Sequence, residues 1–257
     1  MKLVHCLFLG SLLSASCFAC AMAAPTEIIV RVIAKDAKFI GTGMGGVQVT
    51  LRDADSGEVL AQGLTAGGTG STPRIMTEPH GPRDVLSDAD TAKFSAIIDI
   101  DRPRRITVTA TGPFNPEEAA VTVSSTQWVL PGKDINQGDA WLLEMRGFAV
   151  SLLEPPPSEL SLNGASQSIP LKAKVTLMCG CPTTPGGMWD ANKIEVAAIV
   201  TKGGSAAPPV MLSYAGEAST FGGQIEIAAP GDYVVDVYAY DPANGNTGLS
   251  RFNLHAQ

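Results

Sequence analysis

The chain is poor in the groups that catalysis and nucleic-acid binding depend on. It has 257 residues, yet only three histidines, and aromatic residues make up 6% of it. Charged residues are sparse at 17%, and their balance is acidic: 18 Lys and Arg against 25 Asp and Glu, a formal net charge of −7. An acidic chain with few aromatics offers neither a cationic surface for phosphates nor attraction to anionic lipid, so nucleic acid and anionic membranes are excluded as partners. Scarce aromatics also disfavour stacking platforms for glycans. Beyond the N-terminus no run approaches the roughly 20 apolar residues needed to cross a bilayer, so no membrane span is expected. Catalytic signatures are missing as well. There is no G-x-S-x-G and no H-E-x-x-H, and the run Gly63 to Ser71 lacks the lysine and following helix of a phosphate-binding loop. The expectation is a protein that is not an enzyme.

What is present begins with Lys2, an apolar run from Leu3 to Leu13, and Ala21-Met22-Ala23. This is the pattern of a secretory signal peptide over residues 1–23, cleaved near Ala23/Ala24, and it predicts a periplasmic or extracellular protein. A lipoprotein anchor at Cys17 or Cys20 fits less well, because Ser14 and Cys17 stand where a large aliphatic residue is wanted. Cleavage removes Cys6, Cys17 and Cys20, leaving two cysteines of five, Cys179 and Cys181. It also removes Lys2, taking the charge from −7 to −8, and His5, leaving His80 and His255. An isolated cysteine pair in an oxidising compartment is expected to be disulfide-bonded or held by a metal. The remaining 257 − 23 = 234 residues suit two β-domains.

Strand signals dominate. Glu27 to Ala34 is rich in β-branched residues, and Gly46 to Arg52 alternates so that Val47, Val49 and Leu51 share one face. Asp53 to Gly57 supplies turn chemistry, and Glu58 to Gln62 returns as a hairpin partner. The stretch G-V-x-V-x-L-x-D-x-x-S-G-E-V-L resembles the opening hairpin of carboxypeptidase-regulatory-like and transthyretin-like modules. That resemblance implies a small, usually non-catalytic seven-stranded sandwich. Such modules continue at once into a T-x-x-G-x-F strand, whereas here residues 64–92 intervene. This Gly-, Ser-, Thr- and Pro-rich segment reads as a disordered or simple loop, or as a ligand-contact loop using Met76, His80 and Arg83. Its aspartates Asp84, Asp88 and Asp90 lack EF-hand spacing. Further strands are expected over 93–100, 104–110, 119–123, 127–130 and 140–145, with Trp128 and Trp141 in core or edge packing. Residues 148–152 read as the last strand of a first domain spanning 24–153.

Glu154-Pro155-Pro156-Pro157 reads as a stiff linker. A second domain, 158–257, shows seven more strand signals. Pro230 to Asp241 followed by Asn244-Gly-Asn246 resembles the closing hairpin of bacterial immunoglobulin-like modules. That resemblance implies a corner tyrosine at Tyr233, with Val235, Val237 and Ala239 inward and Asp236, Tyr238 and Tyr240 outward. The expected fold is therefore all-β, two antiparallel immunoglobulin-like β-sandwiches in tandem.

The one concentration of unusual chemistry is Met178-Cys-Gly-Cys-Pro182, with Met188 close behind. In extended chain the two cysteine Cβ atoms would stand about 6.6 Å apart, two rises of about 3.3 Å. A disulfide needs about 3.8 Å, and shared metal coordination also requires the sulfurs to converge. Gly180 can supply the bend, and Pro182 ends the strand. Three readings stay open. Cys179 and Cys181 form a structural disulfide in a structural or adhesive protein. Alternatively they bind Cu(I) with Met178 and Met188, since thiolates and thioethers are soft ligands. Last, a strained disulfide serves a thiol–disulfide oxidoreductase, although no basic residue stands near enough to lower a thiol pKa. The favoured function is a binding or accessory protein, its partner a metal ion or a protein of the cell envelope.

Overall fold

The computed structural model describes residues 23–153, 158–162 and 166–257. The expected leader, but for Ala23, and the proline linker 154–157 lie outside the described residues. No described helix is long and apolar enough to cross a membrane.

Seven strands make the first sandwich: β1 (Ala24–Ala34), β2 (Gln48–Asp53), β3 (Val59–Leu64), β4 (Phe94–Ile100), β5 (Arg104–Gly112), β6 (Val121–Val129) and β7 (Trp141–Met145). One sheet has the order β4-β1-β7, with β7 parallel to β1; the other has the order β3-β2-β5-β6 and is antiparallel throughout. Period-two alternation decides what each strand buries. Val47, Val49 and Leu51 turn inward beside Ile106, Val108 and Ala110, opposite Ile28, Val30 and Val32. Trp141 joins this core, but Trp128 stands 61% exposed at the β6 edge. The two segments expected at 119–123 and 127–130 are one continuous strand, because Ser124, Ser125 and Thr126 pair with β5 like their neighbours.

The second sandwich contains β8 (Phe148–Leu152), β9 (Glu159–Leu160), β10 (Gln167–Leu177), β11 (Glu195–Lys202), β12 (Ser205–Ala206), β13 (Val210–Met211), β14 (Ser213–Tyr214), β15 (Thr220–Ile227), β16 (Gly231–Tyr240) and β17 (Thr247–Ala256). Its sheets run β14-β15-β10-β8 and β12-β11-β16-β17-β9, with β13 also on β11. Val235, Val237 and Ala239 are fully buried, as their alternation predicts. The Tyr233 hydroxyl donates to the Ala229 carbonyl at 2.5 Å, the corner bond of immunoglobulin-type sandwiches. The molecule is thus all-β, two largely antiparallel β-sandwiches in tandem, with β7 and β9 the parallel additions.

Two expectations need correction. Residues 148–152 do not close the first sandwich. β8 pairs with β10 from Phe148↔Leu177 to Leu152↔Ala173, so the chain crosses between sandwiches at Arg146–Gly147. The reason is burial on both faces: Phe148, Ala149 and Val150 are consecutively buried, and β8 also packs against β17 and the Glu117–Ala119 turn. Residues 64–92 are not a free loop either. Ala66 and Gly68 bridge to Lys93 and Thr91, Pro73–Thr77 forms a single helical turn, and Ile75 is buried. A buried cation holds the segment down. Arg31, on the outer face of β1, donates through Nη1 to the carbonyls of Thr91 at 2.6 Å and Ala92 at 3.2 Å. Burial pulls the Arg31 pKa down, opposed by the nearby carboxylates of Asp139 and Asp88.

Candidate functional site

The cysteine hairpin forms where β10 runs out. The strand ends at Leu177, earlier than Pro182, and the chain doubles back: the Gly180 amide donates to the Leu177 carbonyl at 2.8 Å, and the Leu177 amide donates to Cys181 at 3.2 Å. Pro182 then bridges Thr176. Gly180 takes the left-handed conformation, φ +77°, that a residue with a Cβ adopts only at a cost. The turn draws the Cys179 and Cys181 Cα atoms to 5.4 Å, and the two sulfurs are bonded as a disulfide. Both side chains are buried, at 4% and 5% exposure.

The hairpin sits at the junction of the two sandwiches. A Cβ on Gly180 would lie 2.6 Å from the Met44 Sδ, so the Thr42–Met44 turn of the first sandwich rests directly on it. Alongside, the turn at Asp36 reaches the second sandwich twice. Its carbonyl accepts from Trp189 Nε1 at 3.0 Å, and its carboxylate accepts from Asn244 Nδ2 at 2.8 Å. Gly147, at the crossing point, donates to Asn246 Oδ1 at 3.2 Å. Asp190 rigidifies the segment after the hairpin, accepting from the amides of Gly186 and Asn192 at 2.8 and 3.0 Å. Those two hydrogen bonds, with Lys193 nearby, hold its carboxyl below the usual carboxylate range.

Two grooves flank this junction. One, about 700 Å³, is lined mainly by apolar and aromatic groups, including Ala119 and Val121 from the first sandwich and Phe148, Met178, Tyr238 and Leu249 from the second. The Tyr238 hydroxyl donates to Glu195 Oε1 at 2.6 Å, and that bond, with some burial, raises its pKa to about 12. The other groove, about 950 Å³, is more polar and holds Asp36, Met76, Met188, Trp189, Asp190 and Asn244.

The expected ligand set is therefore divided. Cys179 and Cys181 meet in the hairpin; Met178 is buried and faces the apolar groove; Met188 is 51% exposed in the polar groove, where Met76 joins it. His80 and Arg83 are exposed on the 64–92 segment, and His80 Nδ1 lies 3.2 Å from the Glu78 carbonyl. Among the described residues, no group of three or more His, Cys, Asp or Glu side chains is placed to share a metal ion. Sequence reasoning missed Met44 and Asp36, and read Asn244 as part of a hairpin turn without its bond to Asp36. Nothing in the local pattern marks them, since Asp36 and Asn244 lie 208 residues apart.

No protein-family model matches this chain, and no curated protein matches it. Among solved structures, the fibronectin(III)-like modules of Clostridium thermocellum CbhA are similar at 12% identity, over 82% of this chain and 77% of that one, with a TM-score of 0.29.

Proposed function

We propose that this is an exported, non-enzymatic binding or accessory protein, with Cys179–Cys181 serving as a staple that shapes the junction between its sandwiches. The observation that carries this reading is the buried, bonded cysteine pair under Met44, with Met178 and Met188 turned to separate grooves. A disulfide suits the oxidising compartment that the N-terminal pattern predicts. Ligand sites favour domain interfaces, so the two grooves are the binding surfaces of this reading. The first half is read as a carboxypeptidase-regulatory-like or transthyretin-like module on its hairpin motif, and such modules are usually non-catalytic.

A second reading, Cu(I) binding after reduction, is favoured by Met44. With the disulfide opened, Met44 would add a thioether beside two thiolates, replacing the divided Met178 and Met188 in the soft ligand set. One experiment separates the two. Reduced and oxidised mature protein are titrated with Cu(I), alongside the Cys179→Ser/Cys181→Ser variant. The staple reading expects no stoichiometric uptake beyond that of the serine variant, and a loss of thermal stability on reduction. One tightly held copper per reduced chain, lost in the serine variant and weakened in Met44→Leu, would replace it with the copper reading. Intact mass of the exported protein tests the compartment: a chain beginning near Ala24 is expected, and a retained N-terminus or an acylated Cys17 or Cys20 would overturn it.

A further inference from the structure

The apolar groove between the sandwiches carries aromatic rings and carboxylates that a disulfide staple does not need. Tyr238 and Tyr240 lie two residues apart on β16, so both side chains leave the same face of the sheet, while Val235, Val237 and Ala239 take the core face. On β17, Leu249 stands opposite Tyr238 and Thr247 opposite Tyr240. On the other side Glu195 of β11 stands opposite Tyr240, and the Tyr238 hydroxyl donates to its Oε1 at 2.6 Å. One carboxylate therefore neighbours both tyrosines. A second, Glu118, comes from the Glu117–Ala119 turn of the first sandwich and lines the same groove. Among the described residues neither glutamate makes an ion pair, and no Lys, Arg or His lines the groove. The buried Phe148 and Met178 line it too, while Val121, Tyr240 and Leu249 are 40%, 37% and 44% exposed. Apolar surface left open in this way marks a binding groove more often than a solvated face.

From this arrangement we infer that the groove binds a small organic cation, an ammonium group carried on an apolar body. The inference rests on the binding reading above and gives one of its two grooves a ligand class. Three observations set that class. The volume, about 700 Å³, lies within the roughly 300–1,000 Å³ of small-molecule sites, and the walls come from both sandwiches, so the surface is concave rather than a flat docking face. The tyrosine rings present negative π-faces, to which an alkylammonium is attracted, the more so once it is desolvated. Finally, the charge complementarity is one-sided. An anion would meet Glu118 and Glu195 with no cation to offset them, and a neutral molecule would leave both carboxylates without a partner. A cation satisfies both, and its apolar body covers the side chains beneath. The Tyr238–Glu195 bond fixes one ring and one carboxylate before any ligand arrives, which lowers the ordering cost of binding.

Two probes that differ only in the charged atom test this, benzyltrimethylammonium and its carbon isostere neopentylbenzene. Each is titrated against the mature protein, with the amide shifts of residues 118–121 and 238–249 as the readout. The cation is expected to bind at least about tenfold more tightly than the isostere, through the rings and the carboxylates together. Glu118→Gln/Glu195→Gln removes both charges yet leaves an amide oxygen to accept from Tyr238, so it should lose that preference and keep the affinity for the isostere. Tyr240→Leu keeps an apolar side chain and should weaken the cation more than the isostere. Circular dichroism checks that these variants keep the fold. Equal binding of the two probes overturns the proposal and leaves the groove as a binding surface. So does a cation affinity that is unchanged in the glutamine variant. If neither probe shifts those amides, the proposal falls together with the binding role given to this groove. None of these outcomes depends on copper uptake or on the disulfide.

Discussion

Gly180 shows how much rests on the absence of one carbon atom. Its φ of +77° lies in the left-handed region, and the missing Cβ leaves room for the Met44 thioether. Gly180→Ala meets both obstacles. The left-handed conformation costs a residue with a Cβ roughly 1–2 kcal/mol, and contact with Sδ at 2.6 Å adds to it. Since Met44 is a flexible side chain, part of the penalty is removable. Gly180→Ala/Met44→Ala should therefore be less destabilised than the two single effects summed, the coupling expected of residues in contact. Denaturant midpoints of the four proteins measure this, and additive effects would place Met44 away from the hairpin.

At the level of the element, the 64–92 segment owes its order to Arg31. Its guanidinium is buried, and the Thr91 and Ala92 carbonyls take its hydrogen bonds, while the Asp139 carboxylate accepts from the Leu86 and Ser87 amides at 3.0 and 2.8 Å. Arg31→Met keeps most of the apolar stem but strands two carbonyls, a loss of about 1–3 kcal/mol for buried groups left unpaired. The segment is expected to resist limited proteolysis in wild type and to be cut between residues 64 and 92 in Arg31→Met. Equal cleavage of both proteins would mean that Arg31 does not hold the segment.

For the whole molecule, the question is whether two sandwiches behave as one. Trp189 and Asn244 both bond to Asp36, Asn246 takes the Gly147 amide, and β8 is buried against elements of both halves. Such a junction should couple their unfolding into a single calorimetric transition. Trp189→Phe/Asn244→Ala removes both Asp36 hydrogen bonds and keeps an aromatic ring at position 189, where the side chain packs against the core. The expected outcome is two resolved transitions, since weakly joined domains unfold independently. A single transition in the double variant would show that β8 and the hairpin suffice to couple the halves.

The sequence by itself determined what is local. Alternation over Val47, Val49 and Leu51 and over Val235, Val237 and Ala239 states which face goes inward, because strand geometry repeats every two residues whatever the neighbours are. The Tyr233 corner was expected from the resemblance of 230–246 to an immunoglobulin-like closing hairpin, and it too is local, its partner Ala229 being four residues away. The Cys-Gly-Cys spacing likewise narrowed the pair to a turn that Gly180 would have to bend. Tertiary structure alone decided the pairings. A strand's pattern names its buried face but not the strand that will lie beside it. So Phe148–Leu152 belonged to the second sandwich, and Val210–Tyr214 split at Leu212 to serve two sheets. The soft ligands were sorted in the same way. Met178 and Met188 are ten residues apart in the chain yet line different grooves, while Met44, far away in sequence, lies on Gly180. Side chains two sheets apart are brought together by packing, and packing leaves no periodicity for a sequence to display.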